Sequence, residues 1–290
     1  MRPSILSYAG ETSPLPTRLA IDGLERLFGR AQLESLYWQV KADTERDHEF
    51  FKKALDLAAI KRIVHEPTQN KRQPNRPTLM VANHPYGILD GLALCELAAK
   101  TSNNFRILLH SELCRDPDLD PFFLPVDFNE GKVARKTNIQ TKREALRTLH
   151  ENGCVAIFPG GGVATRPKFG LGDLQEFPWS TFVAKLALQS GADVVPVYFQ
   201  GENSRLFHFV SGFSQSLRLA LLMRELRLRL GTTLDITIGE SIGSDTIAAL
   251  STRIKVTKFL ENRVSSLAPV DSANEPNDLP PPGDVTHSPA

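Results

Sequence analysis

The stretch Val81-Ala82-Asn83-His84-Pro85-Tyr86-Gly87-Ile88-Leu89-Asp90-Gly91 decides how the rest of this chain is interpreted. It places a histidine and an aspartate where an apolar run ends and a helical pattern begins. In α/β folds, the loops that follow strands carry much of the chemistry. If a carboxylate holds one ring nitrogen of His84, the other nitrogen can act as a general base. Taken alone, the stretch fits equally well a helix-capping Asp90 and an ordinary loop histidine.

Short apolar runs alternate with longer helical patterns from residue 78 onwards, which predicts an α/β sheet with helices on its faces. The segments that make up this alternation are 78–82, 91–99, 106–110, 154–158 and 194–199. Before it, apolar residues recur at helical spacing between Ile21 and Leu57, which predicts two or three N-terminal helices. We expect one domain over residues 20–265, between a flexible segment 1–19 and a disordered, Pro-rich tail 266–290.

Composition restricts the possible partners and the compartment. The 34 Lys and Arg residues nearly balance the 33 Asp and Glu residues, so no global field favours nucleic acid, and none is predicted as a partner. The three cysteines are widely spaced and lack zinc-site spacing, which predicts no metal site and a reducing, cytoplasmic compartment. No 18 consecutive residues are apolar, so any membrane contact is expected to be peripheral.

Two further stretches end predicted strands with residues that suit anion binding. In Ile157-Phe158-Pro159-Gly160-Gly161-Gly162-Val163-Ala164-Thr165-Arg166, the glycines allow backbone N–H groups to approach an anion, and Arg166 can bind phosphate or carboxylate. The stretch fits neither the Walker A nor the Rossmann pattern, and a plain glycine turn is the alternative. After the strand at 194–199, Asn203 and Arg205 are further candidates, with a solvated loop as the alternative. A Gly-x-Ser-x-Gly nucleophile elbow is absent from the sequence.

Together, the three stretches resemble the glycerolipid or lysophospholipid acyltransferases in their order and character. The similarity covers about residues 78–205. The segments His-Pro-Tyr-Gly-Ile-Leu-Asp-Gly, at 84–91, and Asn-Ser-Arg-Leu-Phe, at 203–207, are similar to the branch once labelled hemolysin-like, which includes acyltransferases acting on lyso-ornithine lipid. Two features depart from the family pattern. Five residues rather than four separate His84 from Asp90, and glycines stand near the place of the Glu in Phe-Pro-Glu-Gly.

The resemblance implies a mixed sheet flanked by helices, with an N-terminal helical segment, and an acyl transfer that needs no cofactor. The acyl donor would be acyl-CoA or acyl-ACP, the acceptor a lysolipid, and the site the inner face of the membrane. It implies His84 and Asp90 as catalytic residues. The implied substrate-binding residues are Asn83, Arg135, Lys136, Gly160, Gly161, Gly162, Arg166, Asn203 and Arg205.

Two basic segments have alternative interpretations. The run 132–147 suits either a solvated helix face or a surface that meets acyl carrier protein or anionic lipid. The leucine- and arginine-rich segment 215–230 suits either an interfacial helix or a helix packed on the core. For the whole chain, the alternatives to an acyltransferase are a non-catalytic lipid-binding protein of the same fold and a lipid hydrolase.

Overall fold

The computed structural model describes Gly23 and residues 28–44, 47–68, 76–114, 116–211 and 215–269. The predicted segment 1–19 and most of the predicted tail 266–290 lie outside these residues. The strands are β1 Lys61–His65, β2 Thr78–Ala82, β3 Phe105–His110, β4 Phe123–Val126, β5 Cys154–Ile157, β6 Asp193–Phe199 and β7 Thr233–Ile238. The helices are α1 Arg30–Asp43, α2 Phe50–Leu57, α3 Ile88–Thr101, α4 Lys132–His150, α5 Pro167–Gly170, α6 Phe182–Ser190, α7 Arg205–Ser211, α8 Gln215–Arg229, α9 Ser244–Ala249 and α10 Arg253–Ser265.

The seven strands form one mixed sheet in the order β1-β7-β6-β2-β5-β3-β4. Neighbouring strands in the described sheet run parallel, apart from β6 and β7, which are antiparallel. The prediction of a mixed sheet flanked by helices, with an N-terminal helical segment, is confirmed. Because β2, β5 and β6 are adjacent and parallel, the three stretches that follow them emerge at the same edge of the sheet.

The central strands are buried on both faces, which explains their unbroken apolar sequence. Every residue of β2 and of β5 is buried. Successive side chains point to opposite faces, so Leu79 and Val81 join one core cluster, while Met80 and Ala82 join the other. Helices α2 and α3 cover the second face, and α4, α6 and α10 cover the first. This packing fixes the sheet edge that carries the site.

The N-terminal helices belong to the same core as the sheet. Phe51 of α2 is 2% exposed, and its ring makes edge contacts with the rings of Phe105 and Phe122 at centroid distances of 5.7 and 5.6 Å. Tyr37 of α1 donates a hydrogen bond to Asp116, which ties that helix to the segment after β3. The helices that precede the sheet are therefore packed parts of the domain.

Helix α8 packs on the core along the part whose side chains are described. Leu221, Leu222 and Met223 are buried, and Leu221 and Leu222 join a cluster with Val163 and Phe207. The structure therefore favours the core-packed alternative for this half of the helix. No helix among the described residues is long and apolar enough to cross a bilayer.

Phe51→Ala should lower the free energy of unfolding by about 3–5 kcal/mol, because it removes an aromatic ring from a closed cluster. Urea denaturation followed by circular dichroism measures the loss. Leu57→Ala on the same helix is the matched control, since Leu57 is 38% exposed and should cost far less. Equal losses in the two variants would mean that α2 is not part of the sheet core.

Candidate active site

The site lies where β6, β2 and β5 end side by side. Asn83 and His84 follow β2 directly, and Phe158 follows β5. The Asn83 side chain connects two of these strand ends, since its Nδ2 donates to Phe199 O at 2.9 Å and its Oδ1 accepts from Phe199 N at 2.7 Å. Asn83 is buried, so in this structure its amide holds the end of β6 against β2.

His84 and Asp90 meet across the turn that begins α3. His84 Nδ1 lies 3.2 Å from Asp90 Oδ1, although the approach is off the direction of a linear hydrogen bond. The Asp90 carboxylate is fully buried and is fixed by two backbone donors: Tyr86 N to Oδ2 at 2.8 Å and Gly91 N to Oδ1 at 2.9 Å. Asp90 therefore stabilises the first turn of α3 and also lies beside the histidine ring. The capping contacts and the predicted catalytic role are compatible.

The extra residue between His84 and Asp90 is accommodated at Gly87. This glycine immediately precedes α3 and has a φ of 94°, a conformation that L side chains rarely adopt. A Cβ at this position would lie 2.8 Å from Leu222 Cδ2 and 3.1 Å from Val163 Cγ2. The loop bulges at a residue that tolerates both the conformation and the close packing, so the two catalytic candidates still meet.

The segment that follows β5 holds His84 from two sides. The His84 ring stacks on Phe158, with ring centroids 3.9 Å apart and an interplanar angle of 21°. The backbone of His84 is fixed as well: its carbonyl accepts from Ala164 N at 2.7 Å, and its N–H donates to Glu176 Oε1 at 2.6 Å. Ring and backbone are thus both positioned by one segment.

Glu176 is a positioning residue that sequence reasoning missed. Besides the His84 contact, its Oε2 accepts from Trp179 Nε1 at 2.9 Å. Burial raises the pKa of this carboxyl group, against the opposing effect of its hydrogen bonds from Trp179 and His84. The residue lies in the loop 171–180, which matches no motif, so the sequence carries no signal that this carboxylate reaches the histidine loop.

Tyr86 links the histidine loop to the end of β6. Its hydroxyl donates to Gln200 O at 2.9 Å, its carbonyl accepts from Asn203 Nδ2 at 3.2 Å, and the Arg229 guanidinium lies 4.7 Å from its ring centroid. Gly201 has a φ of 111°, and a Cβ there would lie 1.9 Å from the Tyr86 hydroxyl oxygen. Asn203 is buried and fixes the loop in this structure.

Arg166 is paired with a carboxylate. Its Nε and Nη2 donate to Glu202 Oε2 and Oε1 at 2.6 and 2.7 Å, a bidentate ion pair. The hydrogen-bonded contact between Arg166 and Glu202 lowers the pKa of Glu202 and raises the pKa of Arg166. His208 Nε2 lies 3.1 Å from the same carboxylate, and the pKa of this buried histidine is lowered by its burial. The predicted role of Arg166 in binding an acceptor anion stays a prediction, and it requires an anion that displaces or joins Glu202.

The remaining predicted residues are more exposed. Gly160 and Gly162 lie under Phe177, and the Phe128 ring covers Gly161, where a Cβ would lie 3.0 Å from Phe128 Cζ.

Arg205 is exposed at the start of α7. Arg135 and Lys136 are exposed on α4, which follows β4, and β4 is three strands from β2, or roughly 14 Å at the usual strand spacing. The structure therefore brings His84, Asp90, Asn83 and Asn203 together, and it places Arg135 and Lys136 at the side of the site.

No group of three or more His, Cys, Asp or Glu side chains in the described residues is arranged to hold a metal ion. The sheet and the site define an α/β enzyme with a carboxylate-oriented histidine at the carboxyl ends of adjacent parallel strands.

A family model described as Acyltransferase matches residues 59–264, and the chain belongs to this family. The predictions that it belongs to the lysolipid acyltransferase group and is an O-acyltransferase are confirmed. A lyso-glycine lipid O-acyltransferase of Phocaeicola vulgatus is 27% identical over 201 aligned positions, and the alignment covers 67% of this chain and 69% of that protein. A protein of the same description from Bacteroides thetaiotaomicron is 26% identical over 195 aligned positions, and the alignment covers 64% of this chain and 68% of that protein.

Among solved structures, the 1-acyl-sn-glycerophosphate (LPA) acyltransferase PlsC of Thermotoga maritima aligns with a TM-score of 0.49. The sequence identity is 14%, and the alignment covers 86% of this chain and 94% of that chain.

Glu176→Ala should lower kcat by roughly ten- to hundredfold, because a small displacement of a catalytic group has effects of this size. Steady-state kinetics of acyl transfer measures the change, and KM should move much less than kcat. Gln175→Ala is the matched control, since this exposed neighbour pairs with Thr165 through backbone atoms. A wild-type kcat in Glu176→Ala would show that Phe158 and Ala164 position His84 without it.

Proposed function

We propose that this protein transfers a fatty acyl group from an acyl thioester to the hydroxyl of a lysolipid, with His84 as the general base. The observation that carries the proposal is the contact between the His84 ring and the buried Asp90 carboxylate at the end of β2. The family of the chain supports the reaction class.

Nδ1 of His84 lies 3.2 Å from Asp90 Oδ1. In the proposed mechanism the neutral ring carries its proton on Nδ1, and Nε2 accepts a second one. The acceptor hydroxyl gives its proton to Nε2 as its oxygen attacks the thioester carbonyl carbon, and Asp90 stabilises the imidazolium that forms. The tetrahedral intermediate then collapses, the carbon–sulfur bond breaks, and the thiolate takes the proton from the imidazolium. The lipid is released as an ester and the donor as a free thiol.

The glycine loop supplies donors for the oxygen that becomes negative. Gly161 N donates to Phe158 O at 2.9 Å, and Ala164 N donates to His84 O. Among the described residues, neither Gly160 N nor Gly162 N has an acceptor assigned to it. Backbone N–H groups aimed at a developing oxyanion are among the strongest contributions to catalysis of acyl transfer. We assign Gly160 and Gly162 this role.

The acceptor we propose is a lysolipid with an amino-acid head group, of the lyso-glycine or lyso-ornithine type. The named activity of the two bacterial relatives and the resemblance of residues 84–91 and 203–207 support this class. The absence of Glu from the Phe158-Pro159 motif also separates the chain from the usual glycerol-phosphate pattern. The donor is an acyl thioester, acyl-CoA or acyl-ACP, and the reaction needs no cofactor or metal.

The site edge carries the apolar surface that a lipid substrate requires. Twelve large apolar side chains are exposed among the described residues, and nine of them follow strands β3 to β6 in the chain. Ile139 and Leu228 lie farther along the long helices α4 and α8. We call the other seven the apolar rim: Leu113, Phe128, Val133, Leu171, Phe177, Leu206 and Phe209. The exposed cations Lys132, Arg135 and Lys136 flank Val133 on α4. Apolar side chains with neighbouring cations suit the surface of an anionic bilayer. We therefore place the protein in the cytoplasm, bound peripherally to the inner face of the membrane.

Purified protein should be incubated with labelled acyl-CoA or acyl-ACP and, in turn, with lyso-glycine lipid, lyso-ornithine lipid and lysophosphatidic acid. We expect an acylated amino-acid lipid, and we expect His84→Ala to lower turnover by about 10²–10⁴-fold with the fold intact. His150→Ala, which changes an exposed histidine of α4, is the control. Free fatty acid released without an acceptor would instead indicate a hydrolase.

Membrane contact is tested separately by flotation with phosphatidylcholine vesicles, with and without phosphatidylglycerol. Wild-type protein should bind the anionic vesicles and dissociate at high salt. Replacing Val133 and Leu171 together by Ser should lower binding by at least about tenfold, since two inserted apolar side chains are lost. Ile254→Ser is the matched control. Ile254 is 75% exposed, like Val133 at 78% and Leu171 at 71%, but it follows β7 and lies outside the apolar rim. Equal binding by all three proteins would contradict the assignment of the apolar rim.

A further inference from the structure

Arg218 places a positive charge beside the glycine loop, and none of the carboxylates in the described part of the chain neutralises it. This half-buried arginine of α8 donates from Nη2 to Val163 O, and its guanidinium carbon lies 5.1 Å from the ring centroid of Phe177 and 5.8 Å from that of Phe207. A Cβ at Gly162 would lie 3.7 Å from Arg218 Nη2. Among the described residues, no carboxylate lies within ion-pair distance of Arg218.

Two other arginines near the site are paired with carboxylates. Arg166 is neutralised by the bidentate contact with Glu202, and Arg224 pairs with Glu225 at 2.8 Å. Arg229 is held as Arg218 is, by a carbonyl, that of Glu202, and by an aromatic face, that of Tyr86, but it lies beside the end of β6 and not beside the glycine loop. Arg218 is held by a neutral carbonyl and two aromatic faces, which fix its position but leave its charge uncompensated. Burial lowers the pKa of Arg218, because desolvation disfavours the charged form of the guanidinium.

A partly desolvated cation without a counter-charge is costly, and the cost is removed when an anion binds. Arg218 lies beside the segment that holds His84. Val163 and Phe177 are its contacts, and their neighbours Ala164 and Glu176 bind the carbonyl and the N–H of His84. An anion on the guanidinium would therefore bind at the segment that positions the histidine.

We propose that Arg218 binds the anionic group of the acceptor lipid's head group, a carboxylate or a phosphate, and so selects acidic lysolipids as acceptors. This proposal rests on the proposed function and adds the residue that recognises the head group of the acceptor. A glycine or ornithine head group attached through its nitrogen presents a carboxylate, and lysophosphatidic acid presents a phosphate. A guanidinium binds both groups through two parallel hydrogen bonds.

The kinetic test compares an anionic acceptor, lyso-glycine lipid or lysophosphatidic acid, with monoacylglycerol, which has a free hydroxyl but no anionic group. Arg218→Gln should raise KM for the anionic acceptor by roughly 10- to 100-fold, the effect of losing hydrogen bonds to a charged partner. KM for monoacylglycerol should not change. Arg218→Lys keeps the charge but loses the planar guanidinium with its two parallel donors. Its KM for the anionic acceptor should therefore lie between those of wild type and Arg218→Gln.

Arg227→Gln is the matched control, because it removes the same charge from an exposed position of the same helix. It should leave KM unchanged for both kinds of acceptor. If Arg218→Gln lowers kcat equally with both kinds of acceptor, Arg218 supports Val163 and the proposal is overturned. A rise in KM for the thioester alone also overturns it, because the cation would then meet the donor. If Arg218→Gln does not fold, as judged by circular dichroism, Arg218→Lys decides between these outcomes.

A second measurement does not depend on activity. Inorganic phosphate, titrated at constant ionic strength against chloride, should raise the thermal unfolding midpoint of wild type and of Arg227→Gln, but not that of Arg218→Gln. This result with no lysolipid acylated would mean that the proposed function fails while the anion site stands. A phosphate effect that is absent from wild type, or equal in wild type and Arg218→Gln, would overturn the site.

Discussion

The site depends on one buried carboxylate. Asp90 is fully buried, and its carboxylate accepts hydrogen bonds from Tyr86 N and Gly91 N and lies 3.2 Å from Nδ1 of His84. Removing any of these groups would leave a charge in the core with too few partners, which is costly. The turn between β2 and α3 must therefore close around Asp90, and this closure also brings the histidine ring to the sheet edge. The conformation of the turn and the contact between His84 and Asp90 therefore depend on the same carboxylate.

The sequence predicted the parts of the site that are carried by local patterns. The apolar runs of β2, β5 and β6 and the residues that follow them were visible, because buried parallel strands have unbroken apolar sequences and their ends carry polar loops. That the three strands are neighbours is a property of the topology. It places residues that are far apart in the chain within hydrogen-bonding distance, as the Asn83 amide and the Phe199 backbone show.

The sequence did not reveal how the charges are distributed. Arg166 stands in a glycine-rich motif and was the natural candidate for an anion, but its guanidinium is matched to Glu202, which lies 36 residues away. Arg218 lies in a leucine-rich helix that suggested either a membrane surface or a core, and it reaches Val163 across 55 residues. Pairing between distant residues decides which cation is available, and neither composition nor spacing records such pairing. Glu176 is a third example, since it reaches His84 from a loop without a motif.

The antiparallel contact between β6 and β7 makes the two ends of the sheet different. Because β1 and β7 run against the other strands, their carboxyl ends lie on the side of the sheet away from His84. Substitutions just after β1 and β7 should therefore leave the histidine turn in place, whereas substitutions just after β2, β5 or β6 fall on the segments that build it.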